Sequence, residues 1–280
     1  MDATSGAPPY PTRILCATDF TPFSRHALEY AIALARPAAA QITILHVLPF
    51  PIPSIDSDDE PDWMPPGPGG RSEALEQLRR FAEPAEAAGL RTRTLLRSGI
   101  PSDEILRAVI ELEPDLVVMG SHARRGLERL IGSHAVRVLR LAPCPVLTVS
   151  LHEGAAPADT PVRIQEVLCA ASGSERSPRT VEYAQCLAEG AQAHMTLLCV
   201  ANPARPSSDI LDEAKKRAAD LIVIGNHDRG LGIVGYLGST SARVVRDADC
   251  AVLTVKSGPW PSERAEADRS VSERTCLSIS

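Results

Sequence analysis

Lysine is almost missing from this chain. Three occur in 280 residues, Lys215, Lys216 and Lys256, so a phosphate contact in the first half has to come from arginine or from backbone N–H groups. The Walker pattern G-x-x-x-x-G-K-[ST] is absent with it. No apolar run approaches the roughly 18 residues that a membrane-spanning helix requires. The opening MDATSGAPPYPTR has no basic region leading into an apolar stretch, so it does not read as a secretory signal, and a cytoplasmic location is expected. Excess positive charge is lacking too. A net charge of −6 and a pI near 5.7 give no general attraction to nucleic acid or to an anionic membrane, and neither is expected as a partner. The seven cysteines are odd in number and show no C-x-x-C spacing. Most sit inside apolar runs, which suits buried reduced thiols better than metal ligands or disulfides, and no metal site is expected.

What is present is ordinary globular composition, 44% hydrophobic and 23% charged, enough for two domains of moderate size. The chain also repeats itself. Residues 14–47 align without a gap on 167–200, with about fourteen identities in roughly thirty-four positions. PSDEILRAVIELEPDLVVMG at 101–120 lies over PSSDILDEAKKRAADLIVIG at 206–225, and GSHAVRVLRLAPCPVLTVS at 132–150 over GSTSARVVRDADCAVLTVK at 238–256. The middle is not repeated: the second copy is short of one loop, one helix and one strand.

Apolar periodicity in the first copy predicts strands at 13–19, 41–48, 91–97, 115–120 and 145–150, alternating with helices at 22–36, 72–88, 101–112 and 133–141. ILCAT, ITILHV and DLVVMG are short continuous apolar runs, as befits strands covered on both faces. Alternation of this kind implies α/β lobes with doubly wound parallel sheets. The expected organisation is a disordered N-terminus (1–12), a first lobe (13–151), a linker (152–161), a shortened second lobe (162–256) and a disordered tail (257–280). The proline-rich insertion at 49–71, with Trp63 and Met64, leaves the second strand at the ligand end; it reads as a solvated loop or as a lid.

In such sheets ligands bind beyond the carboxyl ends of the strands, where the strand order reverses. Thr18 and Asp19 end the first strand, Val47 lies at the end of the second, and Gly120 ends the fourth. GSHARRGLERLIGSH then leads into a helix opening at Gly132-Ser133-His134, whose free amides and dipole suit a phosphate, with Arg124 and Arg125 in the same loop to add charge. The bland alternative gives the glycines only a tight turn to shape and Ser133 only a helix to cap. Asp19, likewise, either accepts hydrogen bonds from a ligand or organises the turn into Thr21-Pro22, a good N-cap and N1 pair. His46 reads as a satisfied core histidine. His122 and His227 recur at equivalent points without implying catalysis. GLGIVG at 230–235 matches G-x-G-x-x-G but follows the wrong strand and lacks the acid that a dinucleotide fingerprint needs.

Taken together, the TDF strand end, the ALEYA helix, the HV strand end, DLVVMGSH, the glycine-spaced loop, GS and the PCPVLTV strand resemble the universal stress protein family across the whole first lobe. The resemblance implies two tandem Rossmann-like lobes, similar to adenine nucleotide alpha hydrolases. It implies pairing of the lobes through their final strands, PVLTV and AVLTV, and leaves a homodimer open. It further implies a stress-response protein that binds ATP or a related adenine nucleotide, with Mg2+ only alongside the nucleotide, and that is regulatory rather than enzymatic, acting on an unidentified protein partner. In the family motif, Gly, two residues, Gly, nine residues, Gly, then Ser or Thr, the positions Gly120, Gly132 and Ser133 match. Ala123 stands where the second glycine belongs, and the spacer is one residue short. By the same resemblance Asp19 accepts from the ribose or adenine and the backbone at Val47 reads the adenine edge. In the second lobe Ser172 replaces Asp19 and Asp228 takes the second glycine's place, where a carboxylate repels phosphate, so that lobe is expected to be silent. The alternatives are a scaffold that binds no nucleotide and a slow ATPase.

Overall fold

The computed structural model describes residues 10–49, 68–121, 132–150, 161–172, 178–200, 205–226 and 238–256. The first half runs β1 (Arg13–Thr18), α1 (Pro22–Ala35), β2 (Gln41–Pro49), α2 (Pro68–Ala87), β3 (Arg91–Gly99), α3 (Pro101–Leu112), β4 (Leu116–Gly120), α4 (Ser133–Leu141) and β5 (Val146–Val149). The second runs β6 (Glu166–Ser172), α5 (Pro178–Ala191), β7 (His194–Val200), α6 (Pro206–Lys216), β8 (Leu221–Asn226), α7 (Ser239–Asp247) and β9 (Ala251–Lys256). All nine strands form one sheet in the order β3-β2-β1-β4-β5-β9-β8-β6-β7. Every pairing is parallel except β5 with β9. Among the described residues, the second half has no counterpart of α2 and β3. In the first half α2 begins at Pro68, ahead of the expected 72, and β3 continues to Gly99, in register with β2 from Gln41↔Arg91 to Pro49↔Gly99.

The apolar runs become strands because helices cover both faces. Ile14 and Cys16 enter a core beneath α1, α2 and α5, while Leu15 and Ala17 alternate into a second core beneath α3, α4, α6 and α7. An aspartate fixes where each half begins its sheet. Asp115 accepts from the Thr12 and Arg13 amides (3.0 and 2.9 Å), and Asp220 does the same for Gln165 and Glu166 (2.7 and 3.0 Å). The device is duplicated with the sequence. Cys16, Cys144 and Cys169 are buried thiols whose pKa burial pushes up to about 12, whereas Cys199 is exposed, against the expectation from its apolar surroundings. Cys199 surfaces because no described helix covers its strand as α2 covers β2.

The two halves meet about a pseudo-twofold centred where Leu147 pairs with Leu253. Both leucines are fully buried, contributing roughly 1.5–3 kcal/mol each. The contacts around them are reciprocal. The Thr148 hydroxyl donates to Val252 O and the Thr254 hydroxyl to Val146 O, each at 3.2 Å. Tyr30 reaches across to donate to Asp220 O (3.1 Å), and its counterpart Tyr183 lies buried beside Asp115 and Cys144 of the first half.

Candidate functional site

The strand order reverses at β1, which lies between β2 and β4, and in sheets of this kind ligands bind beyond the carboxyl ends of the strands at that point. Register levels the site. Thr18 pairs with His46, and Ala17 pairs with Met119, which brings Thr18, His46 and Gly120 to one height across three strands, with Val47 and Asp19 one residue further on.

Thr18 is buried and ties the loop together: its hydroxyl donates to Ser24 Oγ (3.0 Å) and accepts the Phe20 amide (3.0 Å). Asp19 is exposed, and its Oδ1 accepts from the Thr21 amide (3.1 Å) and hydroxyl (2.6 Å). Organising the turn is thus a role that Asp19 does play. Thr21 is the N-cap of α1 and Pro22 its N1 residue, as the sequence suggests. Phe20 between them takes a left-handed conformation (φ 64°), an uncommon state for an aromatic residue. Its ring stacks on His46 with centroids 4.2 Å apart. His46 Nδ1 lies 2.8 Å from Thr18 O, the contact of a donating N–H, and burial holds the imidazole below its ordinary pKa. The expectation of a satisfied histidine is met.

Gly120 and Gly132 turn out to serve different ends. A Cβ on Gly120 would stand 2.8 Å from the backbone of Phe23 and of Ser24, so this glycine lets the first turn of α1 close onto β4. Among the described residues, a Cβ on Gly132 would meet nothing within 4 Å. Gly132 is itself the N-cap of α4 and Ser133 is its N1 residue, which corrects the reading of Ser133 as the cap. Ser133 and His134 are exposed, and His134 Nδ1 lies 3.3 Å from the buried hydroxyl of Ser102 at the start of α3. Ser102 is a site neighbour that sequence reading missed. Its one signal is the PS pair opening both 101–104 and 206–209. Arg97 at the end of β3 and Arg137 on α4 are both engaged: Arg97 with Glu104 and Glu111, Arg137 with Asp103 at 2.9 Å. Ala123, Arg124 and Arg125, like His122, lie outside the described residues; the described candidates form two groups, Thr18, Asp19, Val47 and Gly120 at the strand ends and Gly132, Ser133 and His134 at the start of α4.

The second half differs at the matching position. Asn226 Oδ1 accepts the Gly238 amide (3.3 Å), engaging the N-cap of α7, whereas its counterpart Ser121 turns its hydroxyl toward Val149 O (3.5 Å). Ser172 ends β6, but its side chain and Asp228, His227 and the GLGIVG segment lie outside the described residues.

Comparison with known proteins agrees with this architecture. A universal stress protein of Methanocaldococcus jannaschii is 33% identical over 138 residues, covering 49% of this chain and 81% of that protein. One from Bacillus subtilis is 31% identical over 144 residues, 49% of this chain and 97% of its own length. The crystal structure of a universal stress protein from Archaeoglobus fulgidus superposes with a TM-score of 0.69 at 22% identity, over 89% of this chain and 99% of that one, a likeness of fold. The profile of the universal stress protein family matches residues 11–150 and again 203–256. With the family's pattern found in both halves of one sheet, the chain belongs to the universal stress protein family.

Proposed function

We propose that the first half binds an adenine mononucleotide, ATP in the first instance, in the crevice between the loops after β1 and β4, and that the protein is a cytosolic stress regulator rather than an enzyme. The observation that carries this reading is the start of α4, which no described residue obstructs. Among the described residues nothing stands where a side chain on Gly132 would be, and the amides of a nine-residue helix begin there, after the strand next to the reversal of strand order. Phosphate sits against those amides, with Ser133 and His134 as side-chain donors and any Mg2+ arriving with the nucleotide. Asp19 and the backbone around Val47 lie at the opposite wall, where ribose and adenine rest. Arg124 and Arg125 supply the charge that lysine does not. The second half is silent in this reading, because Asn226 already takes the amide that a phosphate would need. The buried thiols suit a reducing compartment.

Isothermal titration of ATP into the full-length protein tests the assignment. Saturable binding is expected, weakened roughly tenfold by Ser133→Ala and by Asp19→Ala. Binding that neither substitution changes refutes the site. A scaffold without nucleotide is favoured by one observation, the engagement of Asp19 Oδ1 with Thr21. Absence of any thermal shift on adding ATP would establish that second reading over the first.

A further inference from the structure

The first half shows what the second half is missing. There, Ile42 and Ile44 of β2 are fully buried because α2 lies over them with Leu78, Phe81, Ala82 and Ala85. β7 is the counterpart of β2, with the same register to its inner neighbour: Ile14↔Ile42 and Cys16↔Ile44 become Val167↔Met195 and Cys169↔Leu197. Leu197 therefore stands at a core position, yet it is 47% exposed, with Met195 half-buried and Cys199 exposed on the same face. β7 is also the end of the sheet, so one side of its backbone is unpaired among the described strands.

Charge indicates what fits. In the first half a cavity of about 370 Å³ between the two helices is lined by Arg25, Glu29 and Ile32 of α1 and by its C-cap Arg36, which identifies the positions facing α2. The corresponding positions on α5 hold Pro178, Glu182, Gln185 and Glu189. Two arginines and a glutamate have become two glutamates. A copy of α2 presents Glu83 beside Arg80 to that cavity, a mixed face where this wall calls for a basic one. A second molecule of this chain offers nothing better, because the apolar stripe of α2 is already buried in its own core.

We propose that the β7 edge, with Met195, Leu197 and Cys199 as its floor and Glu182 and Glu189 on its wall, is a docking groove for a basic amphipathic helix of another protein, lying where α2 lies in the first half. The apolar stripe of that helix covers Leu197, and its lysines or arginines face α5. This surface is remote from the crevice of the first half and does not depend on nucleotide.

A fluorescein-labelled Leu/Lys helix of about 18 residues, with leucines spaced i, i+3, i+4 and i+7, is the probe. Saturable anisotropy with the full-length protein is expected, weakened roughly tenfold by Leu197→Glu, an exposed position that tolerates the change. The double variant Glu182→Lys with Glu189→Lys should weaken this probe and strengthen its Glu-for-Lys counterpart, which separates groove binding from attraction to an acidic protein. Circular dichroism checks that each variant is folded. Equal affinity of wild type and both variants overturns the proposal. So does a roughly tenfold gain on deleting 257–280, which makes this chain's own tail the occupant, or a dimer in sedimentation that Leu197→Glu dissociates.

Discussion

His46 has a carbonyl on one side and an aromatic ring on the other, and the burial of this setting favours its neutral form. Nδ1 makes its contact with Thr18 O, Phe20 stacks against the ring, and burial lowers the pKa from its ordinary 6.5, outweighing the Thr18 contact and the Asp19 charge that act to raise it. A base with a depressed pKa in the native state binds fewer protons there than in the unfolded chain. Stability from His46 is therefore full above about pH 6.5 and is lost as pH falls toward the lower native value. The expected result is that wild type loses more stability than His46→Gln between about pH 7.5 and pH 5.5, read by urea denaturation at both values. A parallel loss in the two proteins would show that the imidazole is not the titrating group. The same residue shows the limit of reading a sequence. A histidine closing an apolar strand is recognisable as buried, but its ring contact is made by Phe20, whose left-handed backbone no local pattern in TDFTP announces.

At the scale of elements, the two glycines that bracket the loop after β4 look alike in sequence and differ in consequence. Gly120→Ala places a methyl group 2.8 Å from the main chain of α1, which cannot yield as a side-chain tip can, and is expected to cost about 1–3 kcal/mol of stability. Gly132→Ala meets no atom of the described residues, keeps an ordinary backbone (φ −56°), and is expected to change stability by no more than about 1 kcal/mol while lowering ATP affinity. Denaturation and nucleotide titration on both variants separate the roles; a Gly132→Ala protein as unstable as Gly120→Ala would place protein, not ligand, beyond that helix end. Strands and helices were legible because each apolar run is its own evidence: ILCAT and DLVVMG need no partner to be recognised. The reason for Gly120, the Ser102 hydroxyl beside His134 and the Asn226 bond to Gly238 were not, since each depends on an element distant in the chain. Leu197 is the sharpest case. Its apolar neighbours in HMTLLCV say core, and only the missing cover of α2 makes it surface.

Across the whole molecule the joint between β5 and β9 is the feature on which both halves depend, and its chemistry resides in four residues that occur twice. Val146 to Val149 and Val252 to Val255 both read VLTV, and the register pairs each Thr with the opposing first Val around the Leu147–Leu253 centre. Because the pairing is self-complementary, the first half carries everything needed to make the joint with itself. A fragment of residues 10–150 is therefore expected to dimerise through β5, with Thr148 donating to Val146 O of the second molecule as it now donates to Val252 O. Tyr30 would regain a partner as well, since Asp115 occupies in one half the place of Asp220 in the other. Sedimentation velocity should find the fragment dimeric, and Leu147→Arg should leave it monomeric, because a guanidinium at a fully buried strand centre has no counterion across the axis. Within the intact chain the same substitution has no second molecule to lose and appears instead as lower stability of the whole sheet. A monomeric wild-type fragment would mean that the joint depends on contacts outside VLTV, with α1 against α5 the first place to look.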